Sequence, residues 1–140
     1  MEKNVKFEYS YPHAYCYIEQ DGITFFGEAT CHPDDEDYGN ERTGLFIAEM
    51  RATLCVLRHQ RDNVIKPQLK TLYHLIHNIQ RSKYHNPRSH ETTMILRTIN
   101  NLRMQLDTVN NDIADTKKIL KDYIQKKEEI YQKLRQAKNH

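Results

Sequence analysis

From residue 95 to residue 137 the chain carries Ile95, Ile99, Leu102, Leu106, Val109, Ile113, Thr116, Leu120, Tyr123, Lys127, Ile130, Leu134 and Ala137, in steps of four and three without a slip. That spacing is a heptad seam, and it calls for a helix whose apolar edge is covered along its whole length. With Ile99, Leu106, Ile113, Leu120, Lys127 and Leu134 at a positions, Thr116 and Lys127 are the polar exceptions. Such residues set register or partner orientation at a cost in stability. A helix over 87–137 would span about 75 Å at the ordinary rise per residue. The rest of the chain is too short to wrap that length with a sheet. The pattern therefore predicts an antiparallel helical hairpin, with further helical contacts making a homodimer or larger ring.

The partner helix is legible from about Leu45 onward. Ile47, Met50, Leu54 and Leu57 recur at three and four, and Ile65, Leu69, Leu72, Ile76 and Ile79 resume the pattern after a polar interruption. Pro67 stands between the two runs, where its missing N–H and its ring predict a kink or break near residues 62–67.

The first 44 residues have a different grammar. All four glycines, Gly22, Gly27, Gly39 and Gly44, lie there. "AYCYIEQ" and "ITFFGEAT" flank Asp21-Gly22, a dipeptide suited to a type I′ hairpin turn. The turn would set Gln20 opposite Ile23, Ile18 opposite Phe25, Tyr17 opposite Phe26 and Cys16 opposite Gly27, with Ile18 and Phe25 facing the core. Tyr15, Tyr17 and Phe26 then make the other face aromatic. "VKFEY" supplies a further strand, separated from the hairpin by Tyr11-Pro12. The expected fold is α+β: an antiparallel sheet of three to four strands with an acidic loop over 1–41, then a long helical hairpin and oligomerisation region over 42–140.

Several function classes are disfavoured. No run reaches the roughly 18 to 20 apolar residues of a membrane helix, and the first residues read as neither a signal nor a transit peptide, so a cytosolic protein is expected. Three cysteines without close spacing fit a reducing compartment. His13, Cys16, Cys31 and His32 could ligate zinc by type. The hairpin register opposes it, because it puts Cys31 about 13 Å along the strand from the position facing Cys16 and points His32 to the opposite side. "PDDED" lacks the ligand spacing of an EF-hand and reads as a solvated acidic loop. No nucleophile elbow, phosphate loop or HExxH motif is present. The expectation is no catalytic residues, no metal and no cofactor.

Charge is unevenly distributed. Residues 1–41 hold ten acids against two lysines, whereas residues 42–104 hold eleven Lys or Arg against three acids. The second region is where an anion would be drawn. Its cations alternate with seam residues rather than clustering in an arm, so a nucleic acid is a poor fit. The turn "RSKYHNPRSH" suits a smaller ligand. Asn86 and Pro87 form a helix-start signature. That leaves Tyr84, Arg88 and His90, beside Arg81 and Lys83, as a stacking ring and anion donors for a small phosphorylated, base-containing ligand. Arg51, Arg58 and Arg61 beside the first seam, and Arg103 at an e position of the second, could be pooled between subunits into one anion pocket. The competing reading is a coiled-coil structural or adaptor protein that recruits a partner helix.

Residues 26–52, "FGEATCHPDDEDYGNERTGLFIAEMRA", carry Gly27, Ala29, Cys31, Pro33, Asp35, Thr43, Gly44, Ile47, Ala48, Arg51 and Ala52 in an order that resembles a pattern of small phage proteins. With the long helical pair, the chain is similar to the phage anti-Thoeris proteins of the first described type. The resemblance implies a small N-terminal sheet with two long helices, a homo-oligomer, and a non-enzymatic sponge acting in the host cytoplasm. Its ligand would be a cyclic ADP-ribose isomer made by bacterial TIR immune enzymes, and in some members a cyclic oligonucleotide. It also implies an aromatic and polar pair near the interhelical region, matched by position to Tyr84 and Asn86, with nearby arginines.

Overall fold

Asp21 and Gly22 both take positive φ, 55° and 76°, the backbone that a two-residue type I′ turn requires. In this computed structural model, which describes residues 3–30, 41–82 and 89–138, that turn joins β2 (His13–Gln20) to β3 (Ile23–Thr30). All four expected pairs are present, from Gln20 opposite Ile23 to Cys16 opposite Gly27. β1 (Asn4–Ser10) pairs with the other edge of β2 in a three-stranded antiparallel sheet of order β1-β2-β3. The cis Tyr11-Pro12 bond lies between β1 and β2.

Period-two alternation gives the sheet two unlike faces. Ala14, Cys16, Ile18 and Ala29 point into a buried cluster. His13, Tyr15, Phe26 and Tyr17 point the other way as a chain of rings, with successive centroids 6.0, 5.8 and 5.4 Å apart.

α1 (Glu41–His59) covers the first face. Gly44, Ala48, Ala52 and Val56, at every fourth residue, are all buried, so the face turned to the sheet is made mostly of small side chains. Gly27 on β3 completes the fit: a β-carbon there would collide with the Ala48 carbonyl oxygen and the Ala52 amide. The sequence seam through Ile47 and Leu54 is also buried, while Met50 and Leu57 are only half-buried. On the side of α1 away from the sheet, Phe46 packs on Tyr123 with ring centroids 4.4 Å apart, and the Tyr123 hydroxyl reaches Thr43 Oγ1 at 3.5 Å.

The helical path does not break at Pro67. It widens into a π-helical turn at Gln60–Ile65, closed by the Lys66 N–H donating to the Arg61 carbonyl, and continues as α2 (Lys66–Gln80) with Pro67 in its first turn. A prolyl ring clashes with the carbonyl four residues back in a regular helix. The π turn, whose bonds skip one residue further, places the expected irregularity at 60–65 without ending the helix.

α3 runs from His90 to Lys138, 49 residues. It begins three residues after the expected start: Ser89 Oγ accepts from the Thr92 N–H at 3.2 Å and caps the helix. Asn86 and Pro87, read from sequence as the cap and first position, lie outside the described residues.

By packing, the chain divides into one unit of 1–56 with 113–140 and a second of 57–112. The first holds the sheet, most of α1 and the later part of α3. In it Leu120, Tyr123 and Ile124 pack on the core cluster. The second holds the π turn, α2 and the early part of α3, with Ile65, Leu69 and Ile76 buried on one segment and Ile95, Ile99 and Leu102 on the other.

The heptad seam fails at its end. Tyr131 is 5% exposed, whereas the expected seam residues Ile130 and Leu134 are 55% and 41% exposed. A 3.6-residue helix drifts about 20° per heptad from a 3.5-residue repeat, and in the sheet-containing unit the buried position of α3 is Tyr131 rather than Ile130. Lys127, a polar exception of the seam, lies over the Tyr131 ring at 5.5 Å.

Replacing Gly27 by alanine is expected to lower stability by about 3 kcal/mol, the upper part of the usual overpacking range. The midpoint of urea denaturation reads it; a parent-like midpoint would mean that α1 does not lie so close to β3.

Candidate functional site

The sequence-expected residues fall into three groups. Tyr84, Asn86 and Arg88 lie outside the described residues. Arg51 belongs to the sheet-containing unit; Arg58, Arg61, His90 and Arg103 belong to the helical unit 57–112.

Arg51 has a structural task. Its Nη1 donates to the Glu28 carbonyl at 2.7 Å, and four residues on, Cys55 Sγ donates to the Phe26 carbonyl at 3.6 Å. Phe26 and Glu28 are alternate residues of an edge strand, so two α1 side chains occupy acceptors that would otherwise face solvent or another strand. The buried Cys16 thiol is pushed up from its ordinary pKa chiefly by desolvation, with the Glu49 charge adding to it, so it is an inert core group rather than a nucleophile.

Arg61 sits in the π turn, with Nε and Nη2 forked onto the two carboxylate oxygens of Asp62 at 2.8 and 3.0 Å. That bond holds the Asp62 carboxyl below its ordinary pKa, helped by Lys66 Nζ at 3.6 Å. An incoming anion would have to compete with Asp62 for Arg61. Arg58, His90 and Arg103 are exposed on their helices, His90 as the first residue of α3.

A second set of cations emerges on α2. Lys66, Lys70, Tyr73, His74 and His77 recur at helical spacing on its outward side and, with Leu69, line a groove of about 480 Å³. Leu69 is buried at its floor and the Tyr73 ring is 44% exposed. No acid lines it. The Lys70 ammonium, two imidazoles and a phenol, together with the Lys66 ammonium that Asp62 already shares, surround an apolar floor in a surface that can hold phosphate oxygens at its rim and a flat ring against Tyr73. The volume falls within the range of small-molecule sites. The periodicity that reveals this face is in the sequence, four and three residues apart, but it belongs to the polar side of a helix followed only along its apolar one.

Among the described residues no group of three or more His, Cys, Asp or Glu side chains is placed to hold a metal ion, and no helix is long and apolar enough to cross a membrane. Comparison with protein-family models, with curated proteins and with solved structures gives no match.

Arg51→Met is expected to cost about 1 kcal/mol by leaving the Glu28 carbonyl without its charged donor, and Arg58→Ala less than about 0.5 kcal/mol as an ordinary surface change. Urea denaturation of the two variants separates the roles; equal, negligible losses would return Arg51 to the pool of ligand contacts.

Proposed function

We propose that this chain binds and sequesters a small cyclic nucleotide signal without degrading it, with a cyclic ADP-ribose isomer as the leading ligand and cyclic oligonucleotides as a further class. The α2 groove carries the reading. Its cationic rim, apolar floor and accessible phenol answer to a ligand that has both phosphates and a base. Charge in the helical unit supports it, since residues 57–112 hold nine Lys or Arg against four acids, a balance that favours anion capture. The resemblance to phage anti-Thoeris proteins supplies the biological setting: immune evasion in the host cytoplasm by a protein that holds the signal away from its sensor.

Self-association belongs to the same reading. Ile130 and Leu134 border a groove of about 320 Å³ with Thr43, Tyr123, Lys126, Lys127 and Tyr131. Large apolar residues side by side on one helix face favour contact with another helix. A second copy would continue the heptad pattern there; a foreign helix in that place is the adaptor alternative.

The test is retention. The protein is incubated with a cyclic ADP-ribose isomer, freed of unbound ligand and heated, and the supernatant is analysed by mass. Intact ligand is expected; an altered product would indicate an enzyme, and no retention would favour the adaptor. Lys70→Ala and Tyr73→Ala are each expected to weaken capture roughly tenfold, as loss of a charged hydrogen bond or of one stacking face does. Unchanged capture in both would remove the α2 groove from the site, and parallel tests of Tyr84→Ala and Arg88→Ala ask the same of the turn. Asp62→Asn is expected to raise retention if Arg61 takes part, by removing its competitor.

A further inference from the structure

The two edges of the sheet are not treated alike. Arg51 and Cys55 occupy carbonyls of β3, whereas β1 lies at the opposite edge, and among the described residues no strand pairs with its outer side. An uncovered strand edge is a template for another strand. Beneath it lies a groove of about 410 Å³ lined by Phe7, Leu45 and Phe46 with Glu41, Arg42 and Glu49, and Phe7 is 48% exposed although it is on the helix-covered side.

We infer that β1 is a homotypic docking edge: two copies of this chain pair β1 with β1 in antiparallel fashion about a two-fold axis through Phe7, forming a continuous six-stranded sheet. The sequence of the strand is what selects the partner. Centred on Phe7, "NVKFEYS" sets Lys6 opposite the partner's Glu8 and Glu8 opposite the partner's Lys6, Val5 opposite the partner's Tyr9, and Asn4 opposite the partner's Ser10. Both charged pairs lie on the sheet face away from α1, where Lys6 and Glu8 neighbour Tyr17 and Tyr15. Both apolar pairs, with Phe7 against its own copy, lie on the α1 side, over the groove beside Leu45 and Phe46.

Neighbouring registers are worse. Registers that keep both helices on one side of the joined sheet shift the centre by one residue. Centring on Lys6 sets two ammonium groups directly opposite, and centring on Glu8 sets two carboxylates opposite; like charges facing across a strand pair are destabilising. Only the register centred on Phe7 is charge-complementary. It also suits a two-fold contact, in which each residue meets its counterpart reciprocally. The partner's Phe7 would close the open side of the groove.

This inference rests on the reading that the chain self-associates and assigns a second surface to that assembly, distinct from the α3 seam. The test is a charge swap on the full-length protein, with mass measured by sedimentation at micromolar concentration and folding checked by circular dichroism. Lys6→Glu and Glu8→Lys singly are each expected to weaken association about tenfold or more and to lower the assembled mass, because each converts two attractive pairs into two repulsive ones. The double variant Lys6→Glu, Glu8→Lys restores both pairs and is expected to recover the parent mass. Folded single variants that assemble as the parent does, a double variant no better than the singles, or a monomeric parent would each overturn the β1 contact. Ile130→Lys with Leu134→Lys serves as the comparison. If it alone abolishes assembly while the β1 variants do not, self-association stands on α3 and the β1 edge is excluded; retention of the nucleotide, measured separately, is not decided by either result.

Discussion

The fit of α1 against β3 at Gly27 constrains the sheet-containing unit more than any other contact. A helix resting on large side chains leaves its backbone well clear of the sheet. Here Ala48 and Ala52 come so near that Gly27 has no room for a β-carbon. Once that distance is fixed, other features follow from it. Arg51 and Cys55, on the flank of the same helix, are brought within hydrogen-bonding reach of the β3 carbonyls. Ala14, Cys16 and Ala29 are small because the space left between sheet and helix is small, and Ile18 takes the one large fully buried position on the sheet. The core is thus held by closeness of approach rather than by bulk, which makes it sensitive to added volume.

Local chemistry was the legible part of this sequence. Asp21-Gly22 specified a turn, the turn specified a register, and the register fixed which side of each strand faces the core; every step is short in sequence and leaves few alternatives. The seam of α3 was equally plain over Ile95, Ile99, Leu102 and Val109, all buried. It misled toward the C-terminus, where Tyr131 replaces Ile130 on the inward side. A heptad pattern states which residues want cover from a supercoiled partner, but a helix packed on its own unit's core presents a 3.6-residue face. Ile130 and Leu134 keep the first requirement while the fold satisfies the second. The residual apolar edge is therefore information about something other than this chain's own core.

The cations divide by a similar logic. From the sequence, Arg51, Arg58 and Arg61 formed one series at helical spacing, and nothing local distinguished them. Tertiary context separates them: Arg51 is committed to a backbone carbonyl across 23 residues of chain, Arg61 to the adjacent Asp62, and Arg58 is exposed. Only a fold can reveal the first commitment, because its acceptor is a main-chain oxygen that carries no residue identity. The α2 groove was hidden for the opposite reason. Its residues are visible, but an outward polar face is the default appearance of a surface helix, and Lys66, Lys70, Tyr73, His74 and His77 stand out only when their shared concavity, the lack of acids among the described residues around them and the exposed Tyr73 ring are seen together.

α1 and its continuation separate two demands that a single regular helix would have to reconcile. Up to Val56 the residues are chosen for approach to the sheet, with Gly44, Ala48 and Ala52 leaving no side chain able to reach far from the axis on that face. The π turn at Gln60–Ile65 follows, and α2 beyond it carries Lys66, Lys70, Tyr73, His74 and His77. A π turn accommodates one extra residue in the helical path. Within α2, Leu69 and Ile76 are buried, and the adjoining stripe that carries Lys70 and Tyr73 is exposed. Pro67 makes a regular turn unfavourable at that point, and the helix answers with a π turn rather than by stopping. The proline that reads in the sequence as a break stands in the first turn of the helix that carries the groove.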